Sequence, residues 1–301
     1  MCGIVGLYSK NPGLEAGLGR LLAKMLVQMS DRGPDSAGFA LYRNPVGEGL
    51  VKITLQAVNG DDIDWDGLSE RLTARFGAGL RLTPIESHAV IVTSANPESV
   101  IQWIQDHAPG FRITSWGRSI EIYKEKGDPS EVIARFKLHD IAATHALGHT
   151  RMATESAVTT EHSHPFSTGL DLCLVHNGSL SNHNRLREYL KSQGIIFQTD
   201  NDSEVAAGYL TYRLRQGDSL NDALEHAIED LDGFYTFAIG TRHGFAVLRD
   251  PIACKPAVLA ETEDWVAMAS EFRAIAQLPG ADGATIWEPE PATVYSWENQ
   301  V

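Results

Sequence analysis

Four short apolar runs toward the C-terminal end, "GFYTFAIG", "GFAVLRD", "KPAVLAE" and "DWVAMAS", constrain the fold more than any other feature of the chain. Each is rich in strand-forming residues and bounded by turn signals such as "TRHG", so the pattern predicts successive strands in an antiparallel meander. Helical patterns precede them. "EVAAGYLTYRLRQ" follows Asp202 or Ser203 as a cap, and "SLNDALEHAIEDL" opens with Ser219 and Asp222 spaced as a capping box. At the other end "CGIVGLY" reads as a strand, and "GLGRLLAKMLVQMS" as a helix with Leu18, Leu21, Leu22, Met25, Leu26 and Met29 on one face. Gly33-Pro34 stops that helix, and "GFALYR" resumes as a strand. Helices bracketing antiparallel strands predict a layered α+β body, and 301 residues suffice for one such domain carrying an insertion.

The insertion is expected at about residues 50–140, where the texture changes to short alternating elements. "VKITLQ", "HAVIVTSA", "FRITSW" and "SIEIYKE" read as strands. Trp65, Leu68, Leu72 and Phe76 recur at helical spacing, and Asn96-Pro97 and Asp128-Pro129 each open a helix in cap and first-turn order. A small α/β insert results, with no catalytic constellation of its own.

A net charge of −14 repels phosphate backbones and anionic lipid surfaces, which argues against nucleic-acid and membrane partners. No apolar run approaches the roughly 20 residues of a spanning helix, and the start of the chain lacks the pattern of a signal peptide. The cytoplasm is the expected compartment, and the three dispersed cysteines, Cys2, Cys173 and Cys254, suit its reducing conditions. His145 with His149, and His162 with His164, are closely spaced, but no metal-binding motif accompanies them, and no metal is expected.

Cys2 admits two readings. It is a small apolar residue opening a buried strand, or, once Met1 is removed, it joins a thiol and a primary amine in one residue. The amine titrates at roughly 7.7–8.0, so near neutrality it can take the thiol proton without a second base. The polar clusters after residue 140 are equally double. The Asn177-Gly178 pair in "HNG" is a tight turn, or a side-chain and a main-chain donor for an oxyanion. Arg151 is a surface arginine or a bidentate clamp for a carboxylate, and Asp202 is a helix cap or a partner for an ammonium group.

In order along the chain, "MCGIVGLYS", "RGPDSAG", "GHTRMAT", "HSHPF", "HNGSLSNHN", "TDNDSEV", "GFYTFAIGTRHGFAVLRDPIACKP" and "ASEFRAIAQL" resemble the class II glutamine amidotransferases, which are N-terminal-nucleophile hydrolases. The resemblance spans residues 2–301 apart from the insert. It implies a four-layer αββα sandwich of two antiparallel sheets. It also implies Cys2 as nucleophile with its own amine as base, Asn177 and Gly178 as the oxyanion hole, and Arg151, Thr154, His164 and Asp202 as the substrate pocket. Arg32 would steady the strand behind Cys2. Met152, Glu155, Asp31 and Ala253 replace residues frequent in the family without removing a catalytic atom.

The strand pattern closes near residue 297, so the synthase site is expected on another chain. The stand-alone format, "TRMATES" and the insert look most like the amidotransferase subunit of glutamate-synthase-like complexes, with N-methylglutamate synthase the nearest system. The chain would split glutamine or a γ-glutamyl amide through a thioester and pass ammonia or an amine to a partner subunit. No cofactor is expected in this chain; a flavin belongs to the partner. Two alternatives stand beside this reading: an N-terminal cysteine acylase for another amide, and a non-enzymatic binding subunit with a vestigial site.

Overall fold

The computed structural model describes residues 2–43, 45–58, 63–152 and 159–298. In chain order the first elements are β1 (Gly3–Ser9), α1 (Pro12–Glu15), α2 (Leu18–Val27), β2 (Ser36–Tyr42), β3 (Val51–Ala57), α3 (Trp65–Phe76), β4 (Arg81–Ile85), β5 (His88–Thr93), α4 (Pro97–His107), β6 (Phe111–Gly117), β7 (Ile120–Lys126) and α5 (Pro129–Arg135). The second half comprises β8 (His145–Arg151), β9 (Phe166–Gly169), β10 (Leu172–Leu180), α6 (His183–Ser192), α7 (Asp202–Arg215), α8 (Leu220–Asp230), β11 (Gly233–Gly240), β12 (Gly244–Arg249), β13 (Val258–Glu261), β14 (Trp265–Ala269), α9 (Phe272–Ile275), β15 (Thr285–Trp287) and β16 (Val294–Glu298).

The strands form a large sheet in the order β15-β13-β14-β1-β8-β2-β7, a small sheet β16-β12-β11-β10-β9, and a separate sheet β4-β5-β3-β6. The first two stack to make the αββα sandwich, and three apolar layers hold it together. Val5, Leu7, Phe39 and Leu41 on one face of the large sheet pack against Leu22, Met25 and Leu26 of α2 and Ile133 of α5. Ile4, Ala40, Ile122 and Leu147 on its other face meet Cys173, Val175, Ala238 and Phe245 of the small sheet. Leu172, Leu174 and Phe237 on the outer face of the small sheet pack on Val205, Ala206 and Leu224 of α7 and α8. Strands buried on both faces have no polar side to show, which explains why "GIVGLYS" lacks hydrophobic alternation. The two sheets approach so closely that a Cβ on Gly6 would lie 2.5 Å from the Phe245 ring.

Local signals act where the sequence places them. Asn96 caps α4 and Asp128 caps α5 through their side chains, and Ser219 with Asp222 forms the capping box of α8. Three readings change. The four C-terminal runs do not form one meander: β11 and β12 pair in the small sheet, while β13 and β14 lie in the large one. The crossover between them is built around buried polar residues. Asp250 accepts the amides of Tyr235 and Ile252, and the Arg249 guanidinium donates to the carbonyls of Lys255 and Pro289. Neither Asp202 nor Ser203 caps α7; the Asn201 side chain does so, accepting from Ser203 N, and Asp202 in the first turn accepts instead from Leu180 N. The stretch read as an insert also divides. Residues 51–117 supply the separate sheet with α3 and α4 around Ile53, Leu72, Ile91 and Ile104, whereas β7 pairs with β2 at the edge of the large sheet and α5 packs beneath it.

Among the described residues no helix is long and apolar enough to cross a membrane, and Cys2, Cys173 and Cys254 are all free.

Candidate active site

Cys2 sits directly before β1, a strand held in the large sheet between β14 and β8. Its carbonyl accepts from Arg32 Nε at 3.0 Å and lies 3.4 Å from Asn177 Nδ2. Arg32 is itself anchored by Glu271, with Nη1 to Oε1 at 2.6 Å. Residues separated by 30 and 175 positions in sequence therefore converge on the peptide that carries the half-exposed thiol.

Sheet register brings Arg151 to the same end. Gly3 pairs with Thr150 in the β1–β8 ladder, so the next antiparallel step sets Arg151 opposite Cys2. The "RGPDS" loop crosses over this end of β8, and a Cβ on Gly33 would lie 2.4 Å from Arg151 N. Only a glycine permits that approach of two backbones. Arg151 is largely buried, and its charge is felt at His149, His164 and Lys124, whose pKa values it lowers.

From the small sheet, β10 contributes its last residues. Gly178 adopts φ 153°, and a Cβ there would stand 2.0 Å from the Phe234 carbonyl oxygen and 2.8 Å from His176 Nε2. The "HNG" pair is thus not a hairpin turn but strand backbone, registered against Thr236 and Tyr235 of β11. Two residues further on, Leu180 N donates to Asp202 Oδ2 at 2.9 Å. Ser203 Oγ lies 3.3 Å from both Asp202 Oδ1 and His164 Nε2, and 2.8 Å from His176 Nδ1. His164 stacks on His149 with ring centroids 4.0 Å apart, and His149 Nε2 bonds the His176 carbonyl at 3.0 Å. His164 and Asp202 are thus tied to each other and to β10 through Ser203 and His176. Thr154 and Glu155 lie outside the described residues.

Burial keeps these histidines neutral. Desolvation lowers the pKa of His149 to about 3 and drives His164 down as well, with neighbouring positive groups adding to the effect; it also lowers His176, where the Asp202 carboxylate opposes it. His88 and His145, buried elsewhere, fall to about 3 and about 4 for the same reason. In the unfolded chain all five titrate near the ordinary 6.5, so below that pH the unfolded state binds more protons and gains stability relative to the fold. The expected result is a steep acid sensitivity. The histidine contribution is constant above pH 6.5 and falls toward pH 3 with a limiting slope of ~1.4 kcal/mol per pH unit for each such histidine. Urea midpoints flat between pH 7 and 5 would contradict it.

A family model for a glutamine amidotransferase domain matches residues 149–277, the span from the end of β8 through α9. The whole chain is 54% identical over 301 residues to the glutamine amidotransferase-like protein GlxB of Rhizobium meliloti (strain 1021), covering 100% of this chain and 99% of that protein. The chain belongs to the class II glutamine amidotransferases. This amidotransferase is also 36% identical over 121 residues to a glutamine–fructose-6-phosphate aminotransferase of Xylella fastidiosa (strain 9a5c), a match covering 40% of the chain and 20% of that enzyme. Among solved structures, an allosteric regulatory enzyme of purine biosynthesis superposes with a TM-score of 0.63 at 22% identity, over 99% of this chain and 47% of that one. That likeness is one of fold, and the amidotransferase spans about half the length of that enzyme.

His176, Ser203 and Glu271, to which the sequence assigned no place in the site, lie among the others. His176 and Ser203 stand inside "HNGSLSNHN" and "TDNDSEV" or beside them, so the signal was present; Glu271 in "ASEFRAIAQL" had no sequence cue linking it to Arg32.

Proposed function

We infer that this amidotransferase hydrolyses the side-chain amide of glutamine, or of a substituted γ-glutamyl amide, with Cys2 as nucleophile after loss of Met1. The observation that carries the reading is the approach of Asn177 Nδ2 to within 3.4 Å of the Cys2 carbonyl. It sets the last residues of β10 beside the thiol-bearing residue. The Asn177 amide has two hydrogens, so one can hold Cys2 while the other faces a substrate oxygen.

The α-amine of Cys2 takes the thiol proton, and the sulfur adds to the amide carbon, whose oxygen becomes negative between Asn177 and the Gly178 amide. Collapse breaks the carbon–nitrogen bond, and the amine returns its proton to the departing nitrogen. A γ-glutamyl thioester remains. Water then adds to it, the same amine accepts the water proton, and glutamate leaves as the thiol is restored. Arg151 binds the substrate α-carboxylate and Asp202 its ammonium, with Thr154 and His164 completing the pocket. Arg32, braced by Glu271, keeps the Cys2 peptide in place.

The amidotransferase unit takes in residues 2–301, with the β3–β6 layer inserted in it. The released ammonia or amine passes to a glutamate-synthase-like partner subunit of the N-methylglutamate synthase type, which carries the flavin, in the cytoplasm. The order of the motifs along the chain, with "TRMATES" among them, supports this assignment.

Intact-mass analysis of active protein tests the central step. Expected are a chain lacking Met1 and a single adduct on Cys2 after treatment with the glutamine-shaped diazoketone diazo-oxo-norleucine. Active protein that retains Met1 has an amide where the base should be and would refute the mechanism. Arg151→Ala is expected to raise KM for glutamine by about 10- to 100-fold through loss of a charge-assisted bond. An unchanged KM would assign the arginine to the fold alone.

A further inference from the structure

The segment Glu161–Pro165 carries His164, and it is held by a residue with no part in the reaction described above. Lys124 lies in β7, buried, opposite Gly38 of β2. Its Nζ donates to the Ser163 carbonyl at 2.7 Å and lies 3.4 Å from the carbonyls of Glu161 and Pro165. An ammonium group has three hydrogens, and here three carbonyls of one short segment surround it. The Phe166 ring closes the remaining side, its centroid 4.6 Å from Nζ.

Gly38 gives the segment its seat. A Cβ at this position would lie 2.1 Å from the His164 carbonyl oxygen and 2.6 Å from Lys124 Cβ, so the bare strand is what lets the segment lie flat beside the lysine. At the rim, Arg112 of β6 pairs with the Glu161 carboxylate. A buried cation is costly unless its hydrogen bonds are satisfied. Desolvation, with the nearby charges of Arg112 and Arg151, pushes the Lys124 pKa down to about 7 against the pull of Glu204. Here that cost falls on the underside of the pocket segment.

We propose that Lys124, assisted by Arg112, is a positioning residue: it seats Glu161–Pro165 at the depth where His164 stacks on His149 and meets Ser203, and thereby shapes the wall against which the substrate binds. The proposal rests on the reading of His164 as a pocket residue. It also gives a task to β6 and β7, strands from the stretch that showed no chemistry in the sequence.

Two electrophiles separate the thiol from the pocket. Iodoacetamide, with its adduct on Cys2 followed by peptide mass mapping because the exposed Cys254 also reacts, reports the reactivity of that thiol without need of the pocket, whereas diazo-oxo-norleucine must first occupy the glutamine site. In Lys124→Met, alkylation by iodoacetamide should stay within about twofold of wild type, while alkylation by the diazoketone slows at least about 10-fold and KM for glutamine rises by a similar factor with kcat little changed. Arg112→Gln, at a partly exposed position, should slow the diazoketone about threefold. A folded Lys124→Met that reacts with the diazoketone at the wild-type rate overturns the proposal. If Lys124→Met shows no melting transition, Arg112→Gln decides, and an unaltered diazoketone rate there overturns it equally. Wild-type protein that iodoacetamide labels at Cys2 but the diazoketone does not would instead bring down the active-site reading, and this inference with it.

Discussion

Cys2→Ala yields a folded chain that releases no measurable ammonia from glutamine. The expected loss is on the order of 10⁴-fold or more, because in the proposed reaction thiol and base act as one unit and removing the nucleophile disables both halves. Stability should change by no more than ~0.5 kcal/mol. Arg32 and Asn177 bond the carbonyl of residue 2, which alanine retains, and the strand that follows is fixed by its own ladders to β8 and β14. Ammonia release followed beside a thermal melt separates the two effects. Turnover by a folded Cys2→Ala protein would exclude the thiol as nucleophile.

Asn177→Ala is expected to lower kcat by about 10²–10³-fold, the usual consequence of removing one donor from an oxyanion site, with KM changed far less. The side chain also approaches the Cys2 carbonyl, but Arg32 still holds that oxygen, so the structural cost stays within ~0.5–1.5 kcal/mol. A kcat within threefold of wild type would show that Asn177 only braces Cys2. Gly178→Ala should be harsher. It combines a positive φ with a collision against the Phe234 carbonyl, so it damages the β10–β11 ladder as well as the main-chain donor.

Much of this protein was legible from its residues because the relevant physics is local. A cap such as Asn96 or Asp128 bonds an amide two or three residues away, and the Ser219–Asp222 box closes within one turn, so sequence spacing already contains the geometry. The strand character of Gly3–Ser9 or Gly233–Gly240 likewise follows from composition. The motif set identified the amidotransferase family, and two of its residues, Arg32 and Asn177, lie against the Cys2 carbonyl. Sequence patterns could not say which sheet each strand joins. Val258–Glu261 and Trp265–Ala269 are as apolar as the strands before them, and they lie in the other sheet because both faces of both sheets must be buried. Asn201 rather than Asp202 caps α7, a competition between adjacent side chains that resolves only when Leu180 N arrives to bond Asp202. Lys124 looks from its neighbours like a charged residue on an edge strand. Its depth comes from the Glu161–Pro165 segment folding over it, a contact between residues some forty positions apart that no short-range pattern encodes. The sequence by itself determined most of the elements, the caps that close within one turn without a competitor, and the family; the tertiary structure decided strand partners, burial, the cap of α7 and which polar groups lost water, because those depend on the closing of three apolar layers at once.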